Sequence, residues 1–143
     1  MMDKDFIEKH KRDLILVVVL VVALLASAVG VVLYRASIPK HEVVVTSGGA
    51  ELFRVPLSEE ATYGVVDGQA VKFDNPDITL ADMGEEAEES KHHINIIRVE
   101  DDSVFVRESN CQNQVCVNTG KLSADNYDFP IACLPHNLVI TIE

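Results

Sequence analysis

Residues Leu14–Tyr34 read LILVVVLVVALLASAVGVVLY, 21 consecutive positions without a charge. At about 1.5 Å of rise per helical residue, this run extends roughly 31 Å, the hydrocarbon thickness of a bilayer. A helix packed against a soluble core keeps a polar stripe, and none runs through this one. The segment reads as a single transmembrane helix, 14–34, and it partitions the chain. Residues 1–13 become a cytoplasmic tail, 35–41 a linker, and 42–143 an extracytoplasmic domain. Lys4, Lys9, Lys11 and Arg12 crowd the N-terminal flank, while Arg35 and Lys40 follow the span. That asymmetry favours an N-terminus in the cytoplasm, and Tyr34 stands where an interfacial aromatic would sit. Ala26-Ser27-Ala28 also fits the small-x-small pattern of a cleaved export signal. The apolar run continues past it through Val29–Leu33, longer than an ordinary signal core, so a retained anchor in the cell membrane is the expected form. Both forms place residues 36–143 outside the cytoplasm.

Charge narrows the partners. The chain of 143 residues carries a formal net charge of −11. Beyond residue 35 there are seven bases against nineteen acids. An acidic body of this kind repels phosphate backbones, which sets nucleic acid aside as a partner and leaves the membrane and other membrane proteins.

The exported part reads as short strands separated by turns. Val43–Thr46 and Glu51–Val55 flank Ser47-Gly48-Gly49-Ala50. Tyr63–Val66 and Ala70–Phe73 flank Asp67-Gly68. Ile94–Val99 and Val104–Arg107 flank Glu100-Asp101-Asp102-Ser103. The first two are hairpin signals, and the third is a polar turn between strands. Leu138, Ile140 and Ile142 alternate with Val139, Thr141 and Glu143, the period of a half-buried strand. The expected fold class is all-β, a small sandwich or barrel-like domain. Between the second and third strand pairs lies an acidic insertion, 74–91. Its acids, from Asp74 to Glu89, predict a solvated, mobile loop, dispensable for folding. No Asp-x-Asp-x-Asp-Gly spacing marks it as a calcium loop.

The chemistry-bearing residues cluster late in the chain. Cys111, Cys116 and Cys133 form Cys-x4-Cys followed, after sixteen residues, by Cys-Leu-Pro-His136. In an oxidising compartment two of three thiols are expected to pair, with three pairings open and one thiol left over. The odd thiol is a buried small hydrophobe, a redox group or a metal ligand. With His136 the set could make a Cys3His zinc site, although Cys-x4-Cys lies at the edge of the usual spacing. Half of a Rieske pattern is present, but no His stands two residues after Cys111 or Cys116. Without a Cys-x-x-Cys-His, a phosphate-cradling glycine loop or a Ser/His/Asp set, the chain reads as no enzyme, with no catalytic residues and no cofactor.

The stretch Ser109-x-Cys111-x4-Cys116-Val117-x-x-Gly120, followed by Cys133-Leu134-Pro135-x-x-Leu138-x-Ile140-x-Ile142, resembles the signature of the NusG domain II family. Val55-Pro56-Leu57 and the turn around Asp101 extend the resemblance over roughly residues 42–143. The chain departs from the family pattern in its longer acidic insertion and in Ser123–Pro130, which replaces a glycine-rich turn. The resemblance implies an all-β domain displayed on a single N-terminal anchor, similar to an accessory protein of flavin-based extracellular electron transfer. It does not imply a part in transcription. Two functions follow as expectations. One is a non-catalytic interaction module in a membrane redox or transport assembly. The other is direct redox or metal binding through Cys111, Cys116 and Cys133.

Overall fold

The computed structural model describes residues 4–37 and 41–143, and the chain divides into two units, one ending at Pro39 and the other spanning Lys40–Glu143. The first is a single helix, α1, Lys4–Ser37. Helix therefore runs through the predicted tail and span and into residues 35–37 of the expected linker; residues 38–40 lie outside the described ones. From Glu8 to Ser37 the helix has a mean hydropathy of 3.2, long and apolar enough to cross a membrane. Its Leu and Val side chains are exposed along both flanks of the cylinder, as its uninterrupted apolar sequence requires.

The second unit is mostly β, with two short helical segments, so the chain as a whole is mixed rather than all-β. Its elements are β1 (Glu42–Ser47), β2 (Ala50–Pro56), β3 (Ala61–Val66), β4 (Gln69–Phe73), a 3-10 segment (Leu80–Ala87), β5 (Ile94–Glu100), β6 (Ser103–Ser109), α2 (Val115–Asn118), β7 (Leu122–Ser123), β8 (Ile131–Cys133) and β9 (Leu138–Ile142). They make two antiparallel sheets, in the orders β2-β1-β9-β8 and β4-β3-β5-β6-β7. Both expected hairpins form, and the polar turn at 100–103 closes a third. Each turns through two residues of positive φ: Gly48 and Gly49, Asp67 and Gly68, Asp101 and Asp102. That backbone twist matches the right-handed twist of the flanking strands, and Gly, Asn and Asp tolerate it best.

One apolar cluster fills the space between the sheets. Val43 and Val45 of β1 meet Leu138, Ile140 and Ile142 of β9 in register, Val43 opposite Ile142 and Val45 opposite Ile140. The other sheet contributes Ala61, Tyr63, Val65, Ile97, Val99, Val104, Val106 and Leu122. Phe53 of β2 stacks on Tyr63 of β3 with ring centroids 4.4 Å apart, tying the sheets together at one end.

A register shift between Ile96 and Ile97 controls which residues reach this core. Ile97 faces Val106 while Ile96 faces Glu108, so Arg107 is the extra residue of a bulge in β6. A bulge reverses the alternation that follows it. Val104 and Val106 point inward, and beyond the bulge Ser109 and Cys111 do so in place of Glu108.

The outer face of this sheet is where the sequence expectation needs correction. Segment 74–91 is acidic and largely exposed, yet it is pinned across that face. The Pro76 carbonyl accepts from Thr62 Oγ1 (3.0 Å) and Arg107 (2.8 Å). Leu80 N–H donates to Glu108 Oε2 (2.6 Å), and Asn110 Nδ2 donates to the carbonyls of Ala87 (3.0 Å) and His92 (2.6 Å). Thr79 and Asp82 close a capping box at the start of the 3-10 segment. Ile78, Leu80, Met83 and Ala87 are half-buried. Beneath lie Ile94 and Ile96, fully buried but outside the inter-sheet cluster. Hydrogen bonds to Thr62, Arg107, Glu108 and Asn110 hold the segment to the domain.

Two outcomes follow. Ile140→Ala should lower stability by about 2–5 kcal/mol, the usual range for truncating a buried aliphatic side chain, read as a shifted denaturation midpoint at constant slope. Deleting 74–91 should lower the melting temperature rather than leave it unchanged, because burial of each full-size isoleucine contributes about 1.5–3 kcal/mol. An unchanged melting curve would return the segment to a passive loop.

Candidate functional site

The three cysteines come together. Cys111 follows β6, Cys116 lies in α2 and Cys133 ends β8, and α2 packs against both strands. The chain between Asn110 and Thr119 is shaped by amide side chains. Asn113 Oδ1 accepts from Val115 N–H at 3.2 Å, starting the helical turn. Gln114 takes a left-handed conformation (φ 53°), and its Nε2 donates to the carbonyls of Ser109 and Cys111, both at 2.6 Å. The resulting compact turn sets Cys111 and Cys116 side by side, their sulfurs 3.7 Å apart. All three sulfurs lie within 4.8 Å of one another, and none of the residues is more than 3% exposed.

No disulfide joins the three cysteines in this structure, where the sequence led to the expectation of one pair. The nearest two sulfurs stand well beyond the bonded separation of about 2.05 Å. Each instead takes part in a hydrogen-bonded turn. Asn95 Nδ2 donates to Cys116 Sγ at 3.7 Å and Gln114 Nε2 to Cys111 Sγ at 3.8 Å.

Asn95 is the hub. This carboxamide, 1% exposed on β5, donates through Nδ2 to Ser109 Oγ at 3.0 Å as well as to Cys116. Its Oδ1 lies 2.7 Å from His136 Nδ1. An amide oxygen only accepts, so His136 carries its proton on Nδ1. The lone pair of Nε2 is left over, and that atom is buried with no partner among the described residues. His136 thus stands one residue removed from the sulfurs: the structure gathers Cys111, Cys116 and Cys133 and leaves His136 out of the group. Its ring stacks on His93 at 4.7 Å. The two rings, Asn95 and Asp67 line a cavity of about 290 Å³ completed by Ser47, Val65 and Gly68.

Environment sets each group's protonation. Burial, followed by the neighbouring Cys133, pushes the Cys116 thiol up to about 12. For Cys111 burial also raises the pKa, but hydrogen bonds from Ser109 and Gln114 and from the other two thiols outweigh it, and the net shift is downward. Burial, and then the charge of His93, hold His136 below the ordinary imidazole value. His92 moves the other way. Asp67 (2.6 Å) and Glu86 (2.9 Å) grip its two ring nitrogens and raise its pKa.

Sequence reasoning named the cysteines and His136 but missed Asn95, Ser109 as an inward-facing partner, and Gln114. Ser109 stood in the motif. Asn95 left one signal, an amide inside an otherwise apolar strand.

A family model described as NusG domain II matches residues 14–143. No curated protein matches the chain. Among solved structures, the chain is similar to a DUF1312 family protein from Enterococcus faecalis, at 27% identity and a TM-score of 0.51 over 72% of this chain and 95% of that one. A DUF1312 family protein from Ruminococcus gnavus matches at 18% identity and a TM-score of 0.47, over 72% and 97% of the two chains. A protein from Listeria innocua matches at 18% and 0.49, over 73% and 97%.

The two histidines should titrate on opposite sides of the ordinary 6.5: proton NMR should place His92 above it and His136 below. His92 is raised in the folded state, so its contribution to stability is complete below pH 6.5 and fades as pH rises through the folded pKa. His136 is depressed, so the fold loses stability as pH falls below 6.5 and the unfolded ring takes up its proton. Asn95→Ala should cost at least about 1–3 kcal/mol, the penalty for one buried group left unpaired, here His136 Nδ1.

Proposed function

We propose, for a chain that belongs to the NusG domain II family, the role of a non-catalytic module held outside the cytoplasm on a retained N-terminal anchor. In that role it docks within a membrane redox or transport assembly. The observation that carries this reading is helix α1, whose apolar surface from Leu14 to Tyr34 is exposed and long enough to cross a bilayer. The basic flank Lys4–Arg12 supports a cytoplasmic N-terminus. The two sheets form the sandwich carried beyond the membrane. Tyr127, Phe129 and Leu134, exposed on either side of β8, supply apolar contacts suited to a protein partner, with Val115 exposed at the start of α2. The family resemblance to an accessory protein of flavin-based extracellular electron transfer makes an electron-transfer assembly the first partner to test.

A direct redox part for the cysteines is the second reading, favoured by the convergence of three thiols within 4.8 Å. Protease added to intact protoplasts should remove residues 36–143 and spare the N-terminal tail. Protection of the domain in sealed cells would overturn the topology. Cell-surface electron transfer should fall on exchanging Phe129 and Leu134 for Ser and persist in Cys111→Ser cells that express the protein at the normal level. The reverse pattern would favour the redox reading.

A further inference from the structure

We propose that Cys111, Cys116 and Cys133 form a three-coordinate thiolate site for copper(I). The site goes beyond the docking role and needs no partner, so it stands or falls by itself.

The geometry is that of a ligand set already gathered. A metal about 2.3 Å from each of three thiolates, at the centre of their triangle, requires sulfur separations of roughly 4 Å. The sulfurs here are 3.7 Å apart for the closest pair and all within 4.8 Å. Three elements converge to place them, which a purely space-filling role for three small side chains would not require.

Donor type and number choose the ion. Thiolates select soft cations, copper(I) and zinc among them. Zinc in a structural site takes four ligands. The fourth donor that the sequence offered, His136, is not in the sulfur group, although its Nε2 has no partner among the described residues. Copper(I) accepts three. Two amide side chains face the sulfurs. Asn95 Nδ2 and Gln114 Nε2 already point N–H groups at two of the sulfurs, the outer contacts that orient ligands and temper their charge. Gln112, Asn113 and Val115, next to Cys111 and Cys116 in the chain, are exposed.

On binding, each thiol that becomes a ligand loses one proton to solvent and forms one copper–sulfur bond. Copper stays in the +1 state and no electron moves.

The test uses the full chain in detergent, reduced and free of oxygen. It is titrated separately with copper(I) supplied as its acetonitrile complex and with zinc(II), each against a chromophoric chelator. The expected result is one copper(I) per chain with a sulfur-to-copper charge-transfer band, and weaker retention of zinc(II). X-ray absorption of the copper-loaded wild-type chain should show three sulfur neighbours and no nitrogen. Cys116→Ser and Cys133→Ser, checked for folding by circular dichroism, should each weaken copper binding by at least about tenfold, the lower end of what even outer-shell losses cause. The proposal is overturned if copper is not retained while three free thiols are counted, or if its neighbours include nitrogen or only two sulfurs. Tighter retention of zinc(II) would overturn it as well. The wild-type absorption spectrum decides the matter even where a serine variant fails to fold.

Discussion

The buried carboxamide of Asn95 joins parts of the domain that the chain itself keeps far apart. Through Nδ2 it donates to Ser109 at the end of β6 and Cys116 in α2; through Oδ1 it accepts a hydrogen bond from His136 Nδ1–H in the turn between β8 and β9. Those contacts link the second sheet, on which Asn95 sits, to the turn that leads into β9 of the first. A buried amide is costly unless its donors and acceptor are met, and here they are. The arrangement is also directional. It fixes the tautomer of His136, aims a donor at one sulfur, and defines where the cysteine turn sits against the sheet.

That hub depends on a backbone irregularity. Had β6 kept strict alternation after Val106, Glu108 would point into the core and Ser109 away from it. The extra residue at Arg107 exchanges them. Ser109 and Cys111 then reach Asn95 and the other sulfurs, while Glu108 emerges on the outer face and accepts the Leu80 N–H that holds the acidic segment. One inserted residue serves both faces of the sheet. Asn110, between the two inward residues, completes the coupling by donating to Ala87 and His92 and accepting from Ile94 N–H at 2.9 Å. The motif Ser109-Asn110-Cys111 is therefore two structural devices in three residues, one directed into the core and one over it.

Burial gives the cysteines their character. Held at 3% exposure or less, they are screened from large thiols and oxidants; burial raises the Cys116 pKa, while hydrogen bonds bring that of Cys111 below its ordinary value. Thiols in such surroundings serve a small guest or the fold itself more readily than exchange with another protein, which needs an exposed thiolate. The apolar residues Val115 and Leu134, adjoining Cys116 and Cys133, are by contrast exposed. The same short segments thus face inward with sulfur and outward with hydrocarbon.

The amino-acid sequence alone determined the apolar helix, two hairpins, a third polar turn and the inward face of β9. Each depends on local periodicity or on turn residues that tolerate positive φ, and local rules suffice for those. It also named the cysteines, since few residue types carry such chemistry. It did not reveal the hydrogen bonds of the acidic segment, which rest on partners as distant as Glu108. How near the three cysteines come, whether His136 joins them and why Asn95 is buried were decided only by the tertiary structure. The bulge at Arg107 sets which side chains face inward, and the register of strands distant in sequence sets how near they come. Distances between groups forty residues apart, such as Asn95 and His136, are properties of packing, and no local pattern encodes them.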